Sequence, residues 1–264
     1  MLGHMVTLNG KLVSVDDLLP LALVNLGHFT TMRVDADGSV RGLSLHLERL
    51  VRDCGIVWGA DLDPGRVRDY VRQALEGRSG PCTVRVTVHD PRVDLVRPAD
   101  AGKPQIMVSV RGAYAFPVEP LRVMSVPYER DLPEVKHVGL FSSLYARRTA
   151  QNAGFDDALF VGRDGLVSEG SSWNVGFVDA SGTVVWPHAP VLPGVTMALL
   201  QQRTGHRIAN VTLTRAKTAV AAFATNTSIG VRSLAAIDDV ELRTDHQALK
   251  LLRERYLSVP GETL

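Results

Sequence analysis

The sequence predicts a mixed α/β protein with room for two modest domains, and three observations carry that reading. The first is alternation. In "CTVRVTVHD" (82–90) valines alternate with polar residues, as in a strand with one buried face. The second is a period of three to four: in "LDPGRVRDYVRQALEG", Val67, Tyr70, Val71 and Leu75 recur at helical spacing. The third is bulk. The 264 residues are 45% apolar and 22% charged, which suits a soluble chain with a substantial core and exceeds a minimal domain.

The elements follow in order. "TMRVDADGSVRGLSLHLERL" reads as a strand, an Asp-Gly turn, a second short strand and a helix opening near Ser44. The next helix takes Asp63 as its cap and Pro64 in its first turn. "CTVRVTVHD", "QIMVSV" and "LRVMSV" are strands rich in β-branched residues. "DPRVDLVRPADAGKP" is a long loop, and "RGAYAFPVEP" is a connector. The expected division is therefore an N-terminal domain over 1–114, a linker at about 115–120 and a C-terminal domain over 121–264. In the second domain "SSLYARRTAQNAG" is a helix ended by Gly154. Four strand-like runs follow within 157–186, joined by "RDG", "EGS" and "DASG" turns. A helix from about Gly194 to Arg203 and a last one from Asp245 to Leu257 complete the chain.

Charge and cysteine usage narrow the function classes. Lys and Arg number 29 against 28 Asp and Glu, a net charge of +1 that gives no reason to expect nucleic acid or an anionic membrane as partner. Cys54 and Cys82 lack CxxC spacing, so neither a disulfide framework nor a metal site is expected, and a reducing cytoplasm is the expected location. No apolar run reaches the roughly 18–20 residues a membrane span needs. "MLGHMVTLNG" has no signal-peptide pattern, and its "GHM" reads as the remnant of an added leader, with Met5 as the native start.

Three features have the residue types to build a site. Lys136, in "LPEVKHVGLF", falls at the boundary between a strand-like run and a helix. It is either a solvated cation or an amine that desolvation readies for a Schiff base. Glu169 of "LVSEGSSWNV" ends a short strand before a glycine turn, and is either a solvated turn residue or the partner of a cationic cofactor nitrogen. The third feature is a pair of small-residue stretches. "LPGVT" (192–196) opens a helix whose free N–H groups favour an anion, although Pro-Gly also simply starts helices. "TNTSIG" (225–230) adds hydroxyls and a glycine. Lysine, carboxylate and phosphate cradle are together what pyridoxal phosphate requires.

The ordered series from Lys136 through "ARRTAQNAGFDDALF", "GRDG", "SEGSSWNVGFV" and "APVLPGVT" resembles the class IV, fold-type IV pyridoxal-phosphate enzymes. These include branched-chain aminotransferases, D-amino-acid aminotransferases and aminodeoxychorismate lyases. "HFTTMRV" followed by "LSLHLERLVRDC" is similar to their N-terminal region, and the likeness runs from about residue 5 to 240. It implies a small N-terminal α/β domain and a larger C-terminal domain with a mixed-sheet, barrel-like core. It implies that Lys136 is the Schiff-base lysine and catalytic residue and that Glu169 is the pyridinium partner. Arg49, Val195, Thr196, Asn226 and Thr227 would bind the cofactor with them, and the assembly would be a homodimer.

Two functions follow from the resemblance. The first is transfer of an amino group between an amino acid or amine and a 2-oxo acid; the alternative is release of pyruvate and 4-aminobenzoate from 4-amino-4-deoxychorismate. An idle protein keeping the fold as a binding module is a third reading, against which Lys136, Glu169, Arg49 and Thr196 all speak. Phe29, Thr31 and Arg92 are the residues expected to meet substrate, with Thr30 or Thr31 serving the lyase. Branched-chain enzymes place a tyrosine five residues after the lysine, where this chain has Phe141. D-amino-acid enzymes follow their loop arginine with a histidine two residues on, where this chain has Asp94 after Arg92.

Overall fold

The computed structural model describes residues 5–117 and 119–264. Residues 1–4, which hold the Gly3-His4 of the expected leader, and Val118 of the expected linker lie outside the described residues. The chain forms two compact units: one takes residues up to Tyr114 with Val135–Gly139 and Pro260–Leu264, and the other takes Ala115–Glu134 and Leu140–Val259. Two short returns of the chain thus belong to the first unit, for reasons that lie in hydrogen bonding.

In the first unit the elements are β1 (Met5–Leu8), β2 (Lys11–Leu12), α1 (Val15–Leu23), β3 (His28–Val34), β4 (Ser39–Arg41), α2 (Leu43–Trp58), α3 (Pro64–Leu75), β5 (Cys82–His89) and β6 (Gln105–Gly112). The C-terminal strand Gly261–Thr263 pairs antiparallel with β4, giving a seven-stranded sheet in the order C-terminal strand, β4, β3, β5, β6, β1, β2. The alternation in β5 sorts its side chains as expected. Cys82, Val84, Val86 and Val88 join a core with Met32 and Val34 of β3, Leu43, Leu47 and Leu50 of α2, and Val67 and Val71 of α3. Asp63 caps α3 by accepting from Gly65 N at 2.8 Å, with Pro64 as its first residue. Helix α1 is an element the periodicity does not mark, because Pro20 interrupts its pattern; Ser14 and Asp17 close a capping box at its start. The 90–104 loop holds only a 3₁₀ turn, Pro98–Asp100.

The second unit runs β7 (Leu121–Pro127), α4 (Phe141–Asn152), β8 (Asp157–Val161), β9 (Val167–Gly170), β10 (Asn174–Val178), β11 (Val184–Pro187), α5 (Val195–Arg203), β12 (His206–Ala209), α6 (Leu213–Lys217), β13 (Ala221–Asn226), β14 (Gly230–Ile237), β15 (Val240–Glu241) and α7 (Gln247–Leu257). Its strands neighbour one another in the order β12, β11, β10, β13, β14, β7, β8, β9, with β15 on β14. A further pairing of β9 with β10 closes six of them into a ring, the barrel-like core. Parallel β7 and β8 are joined through α4, as a parallel pair requires a crossover. Leu121, Val123, Leu159, Val167, Trp173, Val175, Ala222 and Leu234 are among the residues of its core. No helix among the described residues is long and apolar enough to cross a membrane. Cys54 and Cys82 are both free and buried.

Candidate active site

The lysine is held through its backbone. Phe29 N donates to Lys136 O at 2.8 Å, Val138 N donates to Gly27 O at 2.9 Å, and His28 and His137 form an antiparallel bridge. From α2, Asp53 Oδ2 accepts from Lys136 N at 2.9 Å. These bonds are why residues 135–139 belong to the first unit. Gly27 packs close on β5, where a Cβ would stand 2.8 Å from Val88 O. Thus fixed, Lys136 carries Nζ 4.8 Å from the centroid of the Phe29 ring.

Phe29 and Thr31 share one face of β3, opposite to the face that Thr30 and Met32 turn to the helices. Arg85 of β5 pairs with Thr31, and its guanidinium carbon lies 3.6 Å from the centroid of the same Phe29 ring. Thr31, Thr83, Arg85, Ser109 and Arg111 line a cavity of about 250 Å³. Burial, and then the charge of Arg111, push the Arg85 guanidinium below its ordinary range. Arg85 donates to Thr87 Oγ1 at 3.3 Å. A cation so placed, among hydroxyls, is suited to a carboxylate.

Arg92 is placed otherwise. Its fork closes on Asp90, with Nε and Nη2 at 3.1 and 2.7 Å from the two carboxylate oxygens. Asp90 also accepts from the N–H groups of Arg92, Gly102 and Lys103. Burial would raise its carboxyl, but these bonds outweigh burial and hold it below the usual range. Arg92 and Asp90 therefore brace the 90–104 loop, and Asp94 caps the N–H groups of Val96 and Arg97.

Helix α2 turns His46, Arg49 and Asp53, all buried, to one face at intervals of three and four. Arg49 Nη2 donates to Thr30 Oγ1, which lies 2.7 Å from His46 Nδ1. Arg49 Nε is buried without a hydrogen-bond partner. Burial, chiefly, pulls its guanidinium down to about 10, Asp53 acting against that and Arg52 with it. Asp53 is engaged elsewhere: it accepts from Arg52 Nε and Nη2 and from the Lys136 backbone. A buried guanidinium with an idle Nε is a seat for an anion.

In the second unit Glu169 is the next-to-last residue of β9, buried, directly across from Asn174 of β10. Its Oε2 accepts from Leu192 N at 3.3 Å and from Asn174 Nδ2 at 3.4 Å, and its Oε1 lies 3.5 Å from Arg130 Nε. Asn174 Nδ2 also donates to Leu192 O at 2.8 Å. The carboxylate is thereby tied to the 192–196 stretch that opens α5. Gly194 lies flush on Asn174, where a Cβ would stand 2.0 Å from Oδ1. No side chain caps α5, so the N–H groups at buried Val195 and Thr196 are left for an anion. Asn226 Oδ1 accepts from Ser228 N and Ile229 N, and its Nδ2 donates to Ser172 O. It shapes the turn that presents Thr227, which is half-buried.

The structure thus groups Lys136, Phe29, Thr31 and Arg49 within the first unit, and Glu169, Val195 and Thr196 within the second. His46, Asp53, Arg85, Arg130 and Asn174 were not singled out from the sequence. The spacing of His46, Arg49 and Asp53 in one helix and the odd arginine in the alternation of β5 were the signals available for the first three.

The first unit thus holds an amine and a seat for an anion, and the second a buried carboxylate and a seat for an anion of its own. Residues 27–237 match the family model for class IV amino-transferases, and the chain belongs to that family of pyridoxal-phosphate-dependent enzymes. A 70-residue stretch is 34% identical to branched-chain-amino-acid aminotransferase-like protein 2 of Arabidopsis thaliana; it covers 26% of this chain and 12% of that relative. Among solved structures, the branched-chain aminotransferase of Thermoproteus uzoniensis with norvaline superposes with a TM-score of 0.85 at 22% identity, over 97% of this chain and 94% of that one. The PLP-bound form of a hypothetical aminotransferase from Mycobacterium tuberculosis gives 0.80 at 17%, over 97% and 98%. A putative 4-amino-4-deoxychorismate lyase from Legionella pneumophila gives 0.75 at 22%, over 90% and 92%. At these identities the likeness is one of fold.

The residues present fit pyridoxal phosphate. Within the first unit the idle Nε of buried Arg49 suits a phosphate; within the second, the uncapped start of α5 suits one too, and buried Glu169 suits a protonated ring nitrogen.

Proposed function

We propose that this chain transfers an amino group between an amino acid, or an amine, and a 2-oxo acid. Lys136 would hold the cofactor covalently, Arg49, Val195, Thr196 and Thr227 its phosphate, and Glu169 its ring nitrogen. The observation that carries the reading is the Phe29 ring, with Lys136 Nζ 4.8 Å and the Arg85 guanidinium carbon 3.6 Å from its centroid. An amine and a cation on one aromatic surface match a substrate that brings an amino group and a carboxylate. We assign the substrate carboxylate to Arg85, with Thr31, Ser109 and Arg111 beside it, rather than to Arg92, the residue expected from the sequence to meet substrate.

When bound, the cofactor supplies an electron sink for the pair left at the substrate Cα. The residues do the rest. Glu169 keeps the ring nitrogen protonated, and Arg130 and Asn174 keep Glu169 in place. Lys136 Nζ would be the base that takes the proton from the substrate Cα. Asp53 and Gly27 fix the backbone from which it reaches.

The lyase is the second reading, favoured by the placement of Thr31. Its hydroxyl stands on the Phe29 face, whereas Thr30 is spent on Arg49 and His46. Single-turnover absorbance with a panel of L- and D-amino acids separates the two. Conversion of the cofactor to its amine form supports transamination; no conversion, with pyruvate and 4-aminobenzoate formed from aminodeoxychorismate, overturns it. Lys136→Ala should lose turnover and the long-wavelength cofactor band.

We also propose a homodimer in the cytoplasm. Phe141 and Tyr145 stack on each other at 6.0 Å on the surface of α4 with Leu144, and Leu95 and Val96 are exposed on the 90–104 loop. Such apolar surface favours a partner copy; a monomer by light scattering at micromolar concentration would refute the assembly.

A further inference from the structure

We propose that Thr30 and His46 are positioning residues for Arg49, aiming its guanidinium through a neutral hydrogen-bond chain that leaves its charge for the cofactor phosphate. The inference rests on the reading of Arg49 as a phosphate anchor. The direction of each bond follows from the groups involved. A guanidinium only donates, so Thr30 Oγ1 accepts from Arg49 Nη2. Arg49 Nη2 also lies 3.4 Å from His46 Nδ1, so that nitrogen faces a group that only donates and must offer a lone pair; the Thr30 hydroxyl, 2.7 Å away, then donates to it as well. His46 therefore carries its proton on Nε2 and is neutral. The surroundings enforce that state: burial, and then the charges of Arg49 and Lys136, hold the imidazole well below its ordinary range.

A carboxylate could aim a buried arginine too, but it would cancel the charge a phosphate needs. Asp53, four residues along the same helix, is the acid at hand, and it accepts from Arg52 and from the Lys136 backbone. A hydroxyl and an imidazole do the aiming without that cost. The two come from different elements, Thr30 from β3 and His46 from α2, so the chain also sets the helix in register with the strand. Arg49 Nε is left buried and idle. Among the described residues, nothing competes with an anion there.

The test is cofactor release from the holoenzyme, followed by loss of its long-wavelength absorbance after dilution into a scavenger. His46→Leu and Thr30→Val should each release the cofactor about tenfold faster, as expected for one hydrogen bond to a charged group. His46→Asn, whose Oδ1 can take the place of Nδ1, and Thr30→Ser should stay close to the parent. The double variant His46→Leu/Thr30→Val should lose less than the sum of the two single losses, because Arg49 Nη2, Thr30 Oγ1 and His46 Nδ1 all touch one another. Parent-like release from His46→Leu and Thr30→Val overturns the proposal. So does His46→Asn failing as badly as His46→Leu, or additive losses in the double variant, since packing alone would produce either. The Thr30 pair stands by itself if His46→Leu does not fold. Arg49→Gln separates the two readings: if it holds the cofactor as tightly as the parent, the phosphate role of Arg49 is what falls.

Discussion

Acidification should loosen the N-terminal unit, because it buries neutral histidines. Burial, against a weaker pull from Asp53 and a bond to Leu50 O, lowers His28 from 6.5 to about 4, and His46 lies well below 6.5. In both, the unfolded chain takes up a proton that the folded chain refuses. Stability is therefore intact above the unfolded value of 6.5 and falls as pH drops below it, for His28 until about 4. Between about pH 7 and about pH 5.5 each should contribute a loss of about 1 kcal/mol, so the pair gives about 2 kcal/mol. His89, also lowered mainly by burial, acts in the same direction. The depressed carboxyl of Asp90 is outside this window, since its contribution is present above 3.8 and lost only as pH falls through its lower folded value. Hydrogen exchange of the α2 and β3 amides in cofactor-free protein, corrected for intrinsic rates, reads the opening free energy at both pH values. His28→Gln should remove about 1 kcal/mol of the pH dependence. Equal opening energies at the two pH values, or a slope unchanged by that substitution, would refute the reasoning.

Three further outcomes are expected. Gly194→Ala puts a Cβ 2.0 Å from Asn174 Oδ1, so Asn174 must move and Glu169 with it; cofactor titration should show at least about tenfold weaker binding. Arg85→Gln should lower kcat/KM for amino acids by roughly 10- to 100-fold, the worth of a charged hydrogen bond, while leaving simple amines nearly unaffected in the same steady-state assay. Phe223→Ala, which removes a wholly buried ring 5.3 Å from that of Trp186, should cost about 3–5 kcal/mol in urea unfolding followed by fluorescence.

What the sequence made legible was local. Alternation in β5, the Asp63-Pro64 start of α3 and Gly154 after α4 each act over a few residues, and each stands where expected. The Lys136-to-Thr196 series carried the family for the same reason, since ordered motifs survive without any knowledge of distant contacts. Nonlocal features were illegible. Nothing in "HDPRVD" says that Asp90 will take Arg92, because the competing donors at Gly102 and Lys103 are a dozen residues on. Closure of the barrel rests on Glu169 meeting Asn174 across a turn, which no periodicity announces.

The Thr30-Thr31 pair shows how narrowly role can depend on such placement. The two residues are adjacent and chemically identical, so composition and motif cannot separate them. Strand parity does. Once His28 and Thr30 are turned to α2, Phe29 and Thr31 must face the other way, because a one-residue slip would reverse every side chain of β3. Register is set by the seven paired residues between β3 and β5, which run from His28 opposite Val88 to Val34 opposite Cys82. Two of those pairs separate the threonines: Thr30 opposite Val86 lies on the core face with Arg49, and Thr31 opposite Arg85 lies on the face of the Phe29 ring. A buried valine in β5 and the strand's lone arginine thus sort two like hydroxyls onto opposite faces.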